Sequence, residues 1–125
     1  MPRIFVIDDD KDLLSVVKSL LMRRGFNVSV YTEWELANRD LKKYEPQLIL
    51  LDVFLSGVDG FEVCQKLKSN YATRHIPVLI FSAYPRVAET AIYEYGANDF
   101  ISKPFEVNEL IRKVHGILSQ TGESV

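Results

Sequence analysis

The chain has 125 residues, of which 47% are hydrophobic and 26% charged, with a formal net charge of -2 at pH 7. This length suits one globular domain with its own core, and the weakly acidic balance argues against a nucleic-acid-binding surface. A single cysteine excludes a disulfide framework and a cysteine metal cluster. No apolar run approaches the roughly 20 residues of a membrane-spanning helix. With no signal peptide, we expect a cytoplasmic protein.

Apolar segments alternate with amphipathic ones along the whole chain. Continuous apolar runs predict strands at residues 3–7, 48–52 and 77–81, and shorter apolar segments predict strands at residues 27–31, with Val28 and Val30, and at residues 99–102. Apolar residues at helical spacing predict helices, at residues 11–24, 33–44, 60–68, 85–95 and 106–118. This spacing places Val16, Ala88 and Val107 on or beside the inward faces, and Asp59 is the expected N-cap of the third helix. This alternation predicts a parallel sheet with right-handed crossovers and helices on both faces. We expect residues 1–120 to form the domain and residues 121–125 to be a tail or linker stub.

Polar, chemically capable side chains follow four of the five predicted strands. Asp8 and Asp9 come after the first strand, Asp52 ends the third, Ser82 follows the fourth and Lys103 follows the fifth. Because parallel strands present their carboxyl ends at one edge of the sheet, where ligands collect, these side chains should lie close together.

Three carboxylates at one edge raise each other's pKa unless a cation is present. Asp8, Asp9 and Asp52 therefore imply a bound positive charge. Oxygen ligands without a nearby His or Cys point to Mg²⁺, or alternatively Mn²⁺, rather than zinc.

The same residues suit phosphoryl transfer, which needs the charge of the transferred group spread over a metal ion and a cationic side chain. Asp52 ends the central strand and is the candidate nucleophile, since an Asp carboxylate can form an aspartyl phosphate. The Lys103 ammonium can pair with Asp52 or with a phosphate, and the Ser82 hydroxyl can donate to a phosphate oxygen.

The ordered set of strand-end residues resembles the receiver domain of bacterial two-component response regulators over essentially the whole chain. No single motif is specific, but their order along the chain is. The motifs are Asp8-Asp9, Asp52, Asp59-Gly60, Ser82-Ala83 and Lys103-Pro104-Phe105. The resemblance implies a flavodoxin-like (βα)5 three-layer sandwich with strand order 2-1-3-4-5.

The resemblance also implies roles for the site residues. Asp52 would accept a phosphoryl group from a phosphohistidine on a sensor histidine kinase or a phosphorelay protein. Asp8, Asp9 and the main-chain carbonyl of Phe54 would join Asp52 in holding Mg²⁺. Lys103 and Ser82 would bind the phosphate, and the peptide bond between Lys103 and Pro104 would be cis.

A switch follows from the same resemblance. Ser82 would move toward the phosphate, and Phe100, at the aromatic switch position, would move inward behind it. The face formed by the fourth helix, fifth strand and fifth helix would then present a different surface to an unknown downstream protein or a second copy of the chain. Two residues depart from the family pattern: Ser56 replaces a frequent proline, and Phe100 replaces a commoner tyrosine.

Two bulky aromatic residues follow the site residues at equal spacing. Phe54 lies two residues beyond Asp52, and Tyr84 two residues beyond Ser82. We expect their rings to flank the phosphate and restrict the attacking water.

Three other functions are compatible with parts of the pattern. An aspartyl-nucleophile phosphatase of the haloacid-dehalogenase type usually has a second acid at the position of Phe54, and it carries a substrate cap. A flavodoxin-like flavin carrier needs a hydroxyl- or glycine-rich loop after the first strand, where this chain has aspartates. A degenerate receiver that binds partners without phosphorylation would not need the full residue set. We therefore predict a switch that phosphorylates and dephosphorylates only itself, rather than a turnover enzyme.

Overall fold

A computed structural model describes residues 2–55 and 57–120. Five strands form one parallel sheet and are numbered here without the short strands outside it: β1 Arg3–Ile7, β2 Asn27–Tyr31, β3 Leu48–Asp52, β4 Val78–Ser82 and β5 Asp99–Ser102. Their order in the sheet is β2-β1-β3-β4-β5. The helices are α1 Lys11–Arg23, α2 Trp34–Tyr44, α3 Gly60–Ser69, α4 Pro85–Tyr95 and α5 Val107–Gln120. The predicted flavodoxin-like fold is confirmed.

The central strand β3 is buried along its whole length, which explains its uninterrupted apolar sequence. Alternate side chains of a strand point to opposite faces of the sheet. Ile49 and Leu51 therefore pack into a core shared with α2, α3 and α4, while Leu48 and Leu50 pack into a second core with α1 and α5. Among the described residues, none of the helices has the length and apolarity needed to cross a bilayer.

Local sequence signals fix the ends of several helices. The Asp10 side chain accepts hydrogen bonds from the backbone N–H groups of Asp12 and Leu13 at 3.0 and 3.1 Å and caps α1. Asp59 caps α3 as predicted, accepting from the Phe61 N–H at 2.9 Å. Gly96 ends α4 in the left-handed conformation, with φ of 82°.

Three helical positions differ from the prediction. Val16, expected beside the buried stripe of α1, is 54% exposed, because the face that packs inward carries Leu14, Val17 and Leu21. Val107, expected inward, is 43% exposed at the first residue of α5, whereas Ile117 is buried and was not predicted. The side chain of Ala88, expected in the buried stripe of α4, lies outside the described residues.

The loop after β3 is more ordered than the sequence predicts. Phe54–Leu55 pairs antiparallel with Val58–Asp59 in a short two-stranded ribbon. Gly57 supplies the turn between them with a φ of 74°, which disfavours other residues. Ser56, at the position where the family often has proline, lies outside the described residues.

Gly60, the first residue of α3, packs closely against the end of β3. Its N–H donates to the Val53 carbonyl at 3.0 Å, and a Cβ added at Gly60 would lie 2.3 Å from Val53 Cα and 2.8 Å from the Asp52 carbonyl oxygen. Such distances are far inside van der Waals contact, and both neighbouring atoms belong to the backbone. Only glycine therefore allows α3 to begin this close to the end of β3.

The substitution Gly60→Ala should lower the free energy of unfolding by roughly 1–3 kcal/mol, because the methyl group forces two backbone segments apart. Gly116→Ala is the matched control: it lies within α5, and a Cβ there meets no atom within 4 Å. That change should raise stability by about 0.5–1 kcal/mol through helix propensity. Urea denaturation measures both values, and equal effects of the two substitutions would contradict the close-approach argument.

Candidate functional site

Three carboxylates meet at the carboxyl edge of the sheet. Ile7 of β1 is paired with Leu51 of β3, so the residues that follow, Asp8 and Asp52, are neighbours. One carboxylate oxygen each from Asp8, Asp9 and Asp52 lies within 4.8 Å of the others. Asp8 and Asp52 are buried, with 0% and 6% exposure, while Asp9 is exposed. Two acids of the cluster are therefore withdrawn from solvent and one faces it.

The ammonium group of Lys103 lies between the two buried acids. Its Nζ is 2.6 Å from Asp8 Oδ2 and 3.3 Å from Asp52 Oδ2. The Lys103 backbone N–H donates to the Ser82 carbonyl at 2.8 Å, which continues the pairing of β5 with β4. The peptide bond from Lys103 to Pro104 is cis, the isomer that the resemblance implies.

Two stacked aromatic rings lie next to the Lys103 ammonium. Its Nζ lies 5.9 Å from the centroid of the Phe81 ring, and that ring stacks on Phe105 with centroids 5.5 Å apart. The ring faces are attractive to a cation. Sequence analysis did not assign these two rings, although an aromatic residue directly before Ser82 and another directly after Pro104 were the available signal.

The second oxygen of each buried carboxylate is held by the backbone. The Asp10 N–H donates to Asp8 Oδ1 at 2.9 Å, and the Phe54 N–H donates to Asp52 Oδ1 at 3.0 Å. Each acid thus has one oxygen fixed by a local turn and the other directed to Lys103. These hydrogen bonds fix the side-chain orientation of both acids.

Burial and charge shift the ionisation of this group of residues. Burial raises the pKa of Asp8 above its usual 3.8, and the nearby Asp52 charge adds to this, although hydrogen bonds from Lys103 and the Asp10 N–H oppose it. Burial lowers the pKa of Lys103, but the hydrogen bond to Asp8 and the charges of Asp8 and Asp52 outweigh it, so the net pKa is raised. Lys103 therefore stays cationic across the neutral range.

Ser82, Phe54 and Tyr84 line the rim of the site. Ser82 is buried, its hydroxyl donates to the Tyr84 carbonyl at 3.0 Å, and its Oγ accepts from the Tyr84 N–H at 2.9 Å. The Phe54 and Tyr84 rings contact each other edge-on, with centroids 5.6 Å apart, and are 52% and 60% exposed. The two aromatic residues predicted to flank the phosphate thus meet each other beside Asp52 and Ser82.

Phe100 lies apart from the acid cluster, on the edge strand β5. It is partly buried and packs against the core shared by α2, α3 and α4. Lys113 of α5 reaches it, with Nζ 4.9 Å from the ring centroid. Sequence analysis did not single out Lys113, because no motif marks a lysine that lies thirteen residues beyond Phe100.

A shallow cleft adjoins the exposed acid of the cluster. Its volume is about 400 Å³, and it is lined by Asp9, Trp34, Leu55, Val58 and neighbouring residues. The cleft leaves the Asp9 side of the site open to ions and small solutes.

Comparison with known families agrees with this geometry. A family profile described as the response regulator receiver domain matches residues 4–115. The chain belongs to this family. The match favours a receiver domain over an aspartyl phosphatase or a flavin carrier, which the sequence had left as alternatives.

The relatives of this receiver domain are response regulators. It is 35% identical over 122 residues to the "DNA-binding dual master transcriptional regulator RpaA" of Synechocystis sp., covering 97% of this chain and 51% of that protein. It is 35% identical over 114 residues to the "Heme response regulator HssR" of Staphylococcus epidermidis, covering 90% of this chain and 50% of that protein. The receiver domain thus spans about half the length of these relatives.

Solved structures of receiver domains superimpose over nearly the whole chain. The signal receiver domain of a signal transduction histidine kinase from Syntrophus aciditrophicus matches with a TM-score of 0.88 and 28% identity, covering 100% of this chain and 96% of that one. The receiver domain of NtrX from Brucella abortus matches with a TM-score of 0.85 and 29% identity, covering 93% and 98%.

Replacing Asp8 by Asn should raise the Tm of this receiver domain in EDTA by a few degrees, because the variant lacks one of the crowded, buried charges. The folded pKa of Asp8 lies above its unfolded value of 3.8, so ionisation of Asp8 costs stability. That cost is absent below pH 3.8 and is complete above the folded pKa. The gain should therefore vanish as the pH falls toward 3.8.

Thermal denaturation followed by circular dichroism, at pH 7.5 and at pH 3.8, measures the effect. Asp12→Asn is the control, since Asp12 lies in the first turn of α1 and is exposed. A loss of stability in Asp8→Asn at pH 7.5 would show that the Lys103 pair outweighs the charge crowding.

Proposed function

We propose that this receiver domain is a phosphorylation-dependent switch and that Asp52 is its phosphoacceptor. The observation that carries the proposal is the Lys103 ammonium bonded to Asp8 and Asp52, within a cluster whose carboxylate oxygens lie within 4.8 Å of one another. Residues 1–120 act as the switch unit in this proposal, and residues 121–125 as a tail or linker stub.

The donor set suits a magnesium ion. Mg²⁺ prefers oxygen ligands and is usually held by one or two carboxylates, with waters completing its coordination. Asp8, Asp9 and Asp52, with the main-chain carbonyl of Phe54, would hold it, and Mn²⁺ is the alternative ion. When bound, the ion would offset the negative charge of the carboxylates and of the incoming phosphoryl group.

The transfer step follows from the position of Asp52. A carboxylate oxygen of Asp52 attacks the phosphorus of a phosphohistidine, the P–N bond breaks, and its electron pair stays on the imidazole, which takes up a proton. The Lys103 ammonium and the Ser82 hydroxyl then donate hydrogen bonds to phosphoryl oxygens. Water later attacks the phosphorus, which restores the Asp52 carboxylate and releases inorganic phosphate, so the domain acts only on itself.

The phosphoryl donor and the downstream target of the signal belong to other proteins or domains. The response regulators to which this chain is similar imply a kinase partner, and we propose a sensor histidine kinase or a histidine phosphotransfer protein. The signal would leave through the face formed by α4, β5 and α5, after Ser82 moves toward the phosphate and Phe100 turns inward. A downstream protein or a second copy of the chain would bind that face, and nucleic acid or membrane would not.

The aspartyl phosphate can be tested directly. Incubation with Mg²⁺ and acetyl phosphate should add the mass of one phosphoryl group to the intact protein, and EDTA should prevent this. Asp52→Ala and Asp52→Asn should abolish the adduct, while Asp12→Asn, an exposed aspartate outside the cluster, should keep it. An adduct that persists in both Asp52 variants would falsify the assignment.

The Phe54 and Tyr84 rings should slow the loss of phosphate by limiting water access. Replacing either ring by serine should shorten the phosphoprotein half-life roughly threefold or more, because the edge-on pair that covers the rim is lost. Tyr93→Ser is the control, since Tyr93 is 84% exposed near the far end of α4. Release of inorganic phosphate after removal of the donor gives the rates, and an unchanged half-life in both variants contradicts the role.

A further inference from the structure

The side chain of Lys113 makes three contacts with strand β5. Its ammonium lies 3.3 Å from Asp99 Oδ1, donates a hydrogen bond to the Phe100 carbonyl, and lies 4.9 Å from the centroid of the Phe100 ring. The Lys113 side chain is only 21% exposed, and the Asp99 side chain 39%. All three contacts are made by the Lys113 ammonium. Lys113 belongs to α5, whereas the two residues that it contacts belong to β5.

The geometry of the edge strand explains how one lysine reaches both faces. Asp99 and Ile101 point to the side of the sheet that carries α5, and Phe100 points to the side that carries α4, as alternation requires. β5 is the last strand of the sheet. The Lys113 side chain therefore passes around this edge to meet a ring on the opposite face.

The contact between the ammonium and the ring depends on where the ring lies. Asp99 holds the ammonium at the edge of β5, and the partly exposed Phe100 ring lies against the ammonium there, an orientation that we call outward. A ring that turned further inward, toward Ser82, would move away from the ammonium. A contact present in one of two states stabilises that state relative to the other.

We propose that Lys113 is a positioning residue that holds Phe100 in its outward orientation and so opposes activation of the switch. This inference rests on the proposed function, in which the phosphoryl group at Asp52 favours the inward ring. Asp99 supports the same role by fixing the ammonium. Phosphorylation must then overcome the contact between Lys113 and the ring before the α4, β5 and α5 face changes.

The proposal makes a quantitative statement about ligand binding at Asp52. If Lys113 stabilises the outward state, its removal raises the apparent affinity of the site for a phosphoryl mimic. A cation–π contact of about 1 kcal/mol corresponds to about fivefold in affinity. Simple loss of a positive charge predicts the opposite sign, because an anionic mimic would then bind more weakly.

The experiment titrates the full chain with beryllofluoride at fixed Mg²⁺ and follows the backbone amide signals by NMR. Lys113→Met should bind about fivefold more tightly than the wild type. Lys113→Arg should bind like the wild type, because it keeps the cation and its contact with the ring. Arg112→Met is the charge-matched control from an exposed position of the same helix turn, and it should bind no more tightly than the wild type.

A second arm asks whether the ring is the partner. In the Phe100→Leu background, Lys113→Met should leave the apparent affinity unchanged within about twofold, because no ring remains for the cation to hold. Equal or weaker binding by Lys113→Met in the wild-type background overturns the proposal, as does an equal gain in the Phe100→Leu background. A wild-type chain that takes up no beryllofluoride contradicts the proposed function itself, and the role of Lys113 with it.

Discussion

One cation held between two buried carboxylates is the interaction on which the site depends. Asp8, Asp52 and Lys103 come from three different strand ends, and the sheet order places the Lys103 ammonium 2.6 Å from the Asp8 carboxylate and 3.3 Å from the Asp52 carboxylate. Burying a carboxylate is costly unless it is paired and hydrogen-bonded, and each of these acids has both kinds of partner. The acids are thus fixed in place, while Lys103 balances only part of the negative charge of the cluster.

The attachment of the loop after β3 is a second constraint. β3 is fully buried and places Asp52 at the end of a rigid element. Gly60 then brings the first turn of α3 against the backbone of Val53, and the short ribbon from Phe54 to Asp59 closes the loop between them. The phosphoacceptor candidate is therefore positioned from both sides by backbone contacts rather than by long side chains.

Sequence reasoning was most successful where the chain repeats a simple pattern. Apolar runs predicted three strands of the main sheet and shorter apolar segments the other two. The polar residue at the end of four strands led to the acid cluster, because parallel strands end at one edge. It did not predict the ribbon, whose two-residue strands are too short to show periodicity. It also missed Lys113, since its contacts with β5 depend on how α5 lies over the edge of the sheet.

The Ser82 hydroxyl ties the end of β4 to the residue that precedes α4, because it both donates to and accepts from the backbone of Tyr84. A hydroxyl has one proton to give. Any new acceptor for that proton therefore competes with the Tyr84 carbonyl. If the Ser82 Oγ moves away, the Tyr84 N–H loses its hydrogen-bond acceptor. A ligand that accepted the Ser82 proton would therefore act on the backbone that leads into α4 through this one hydroxyl.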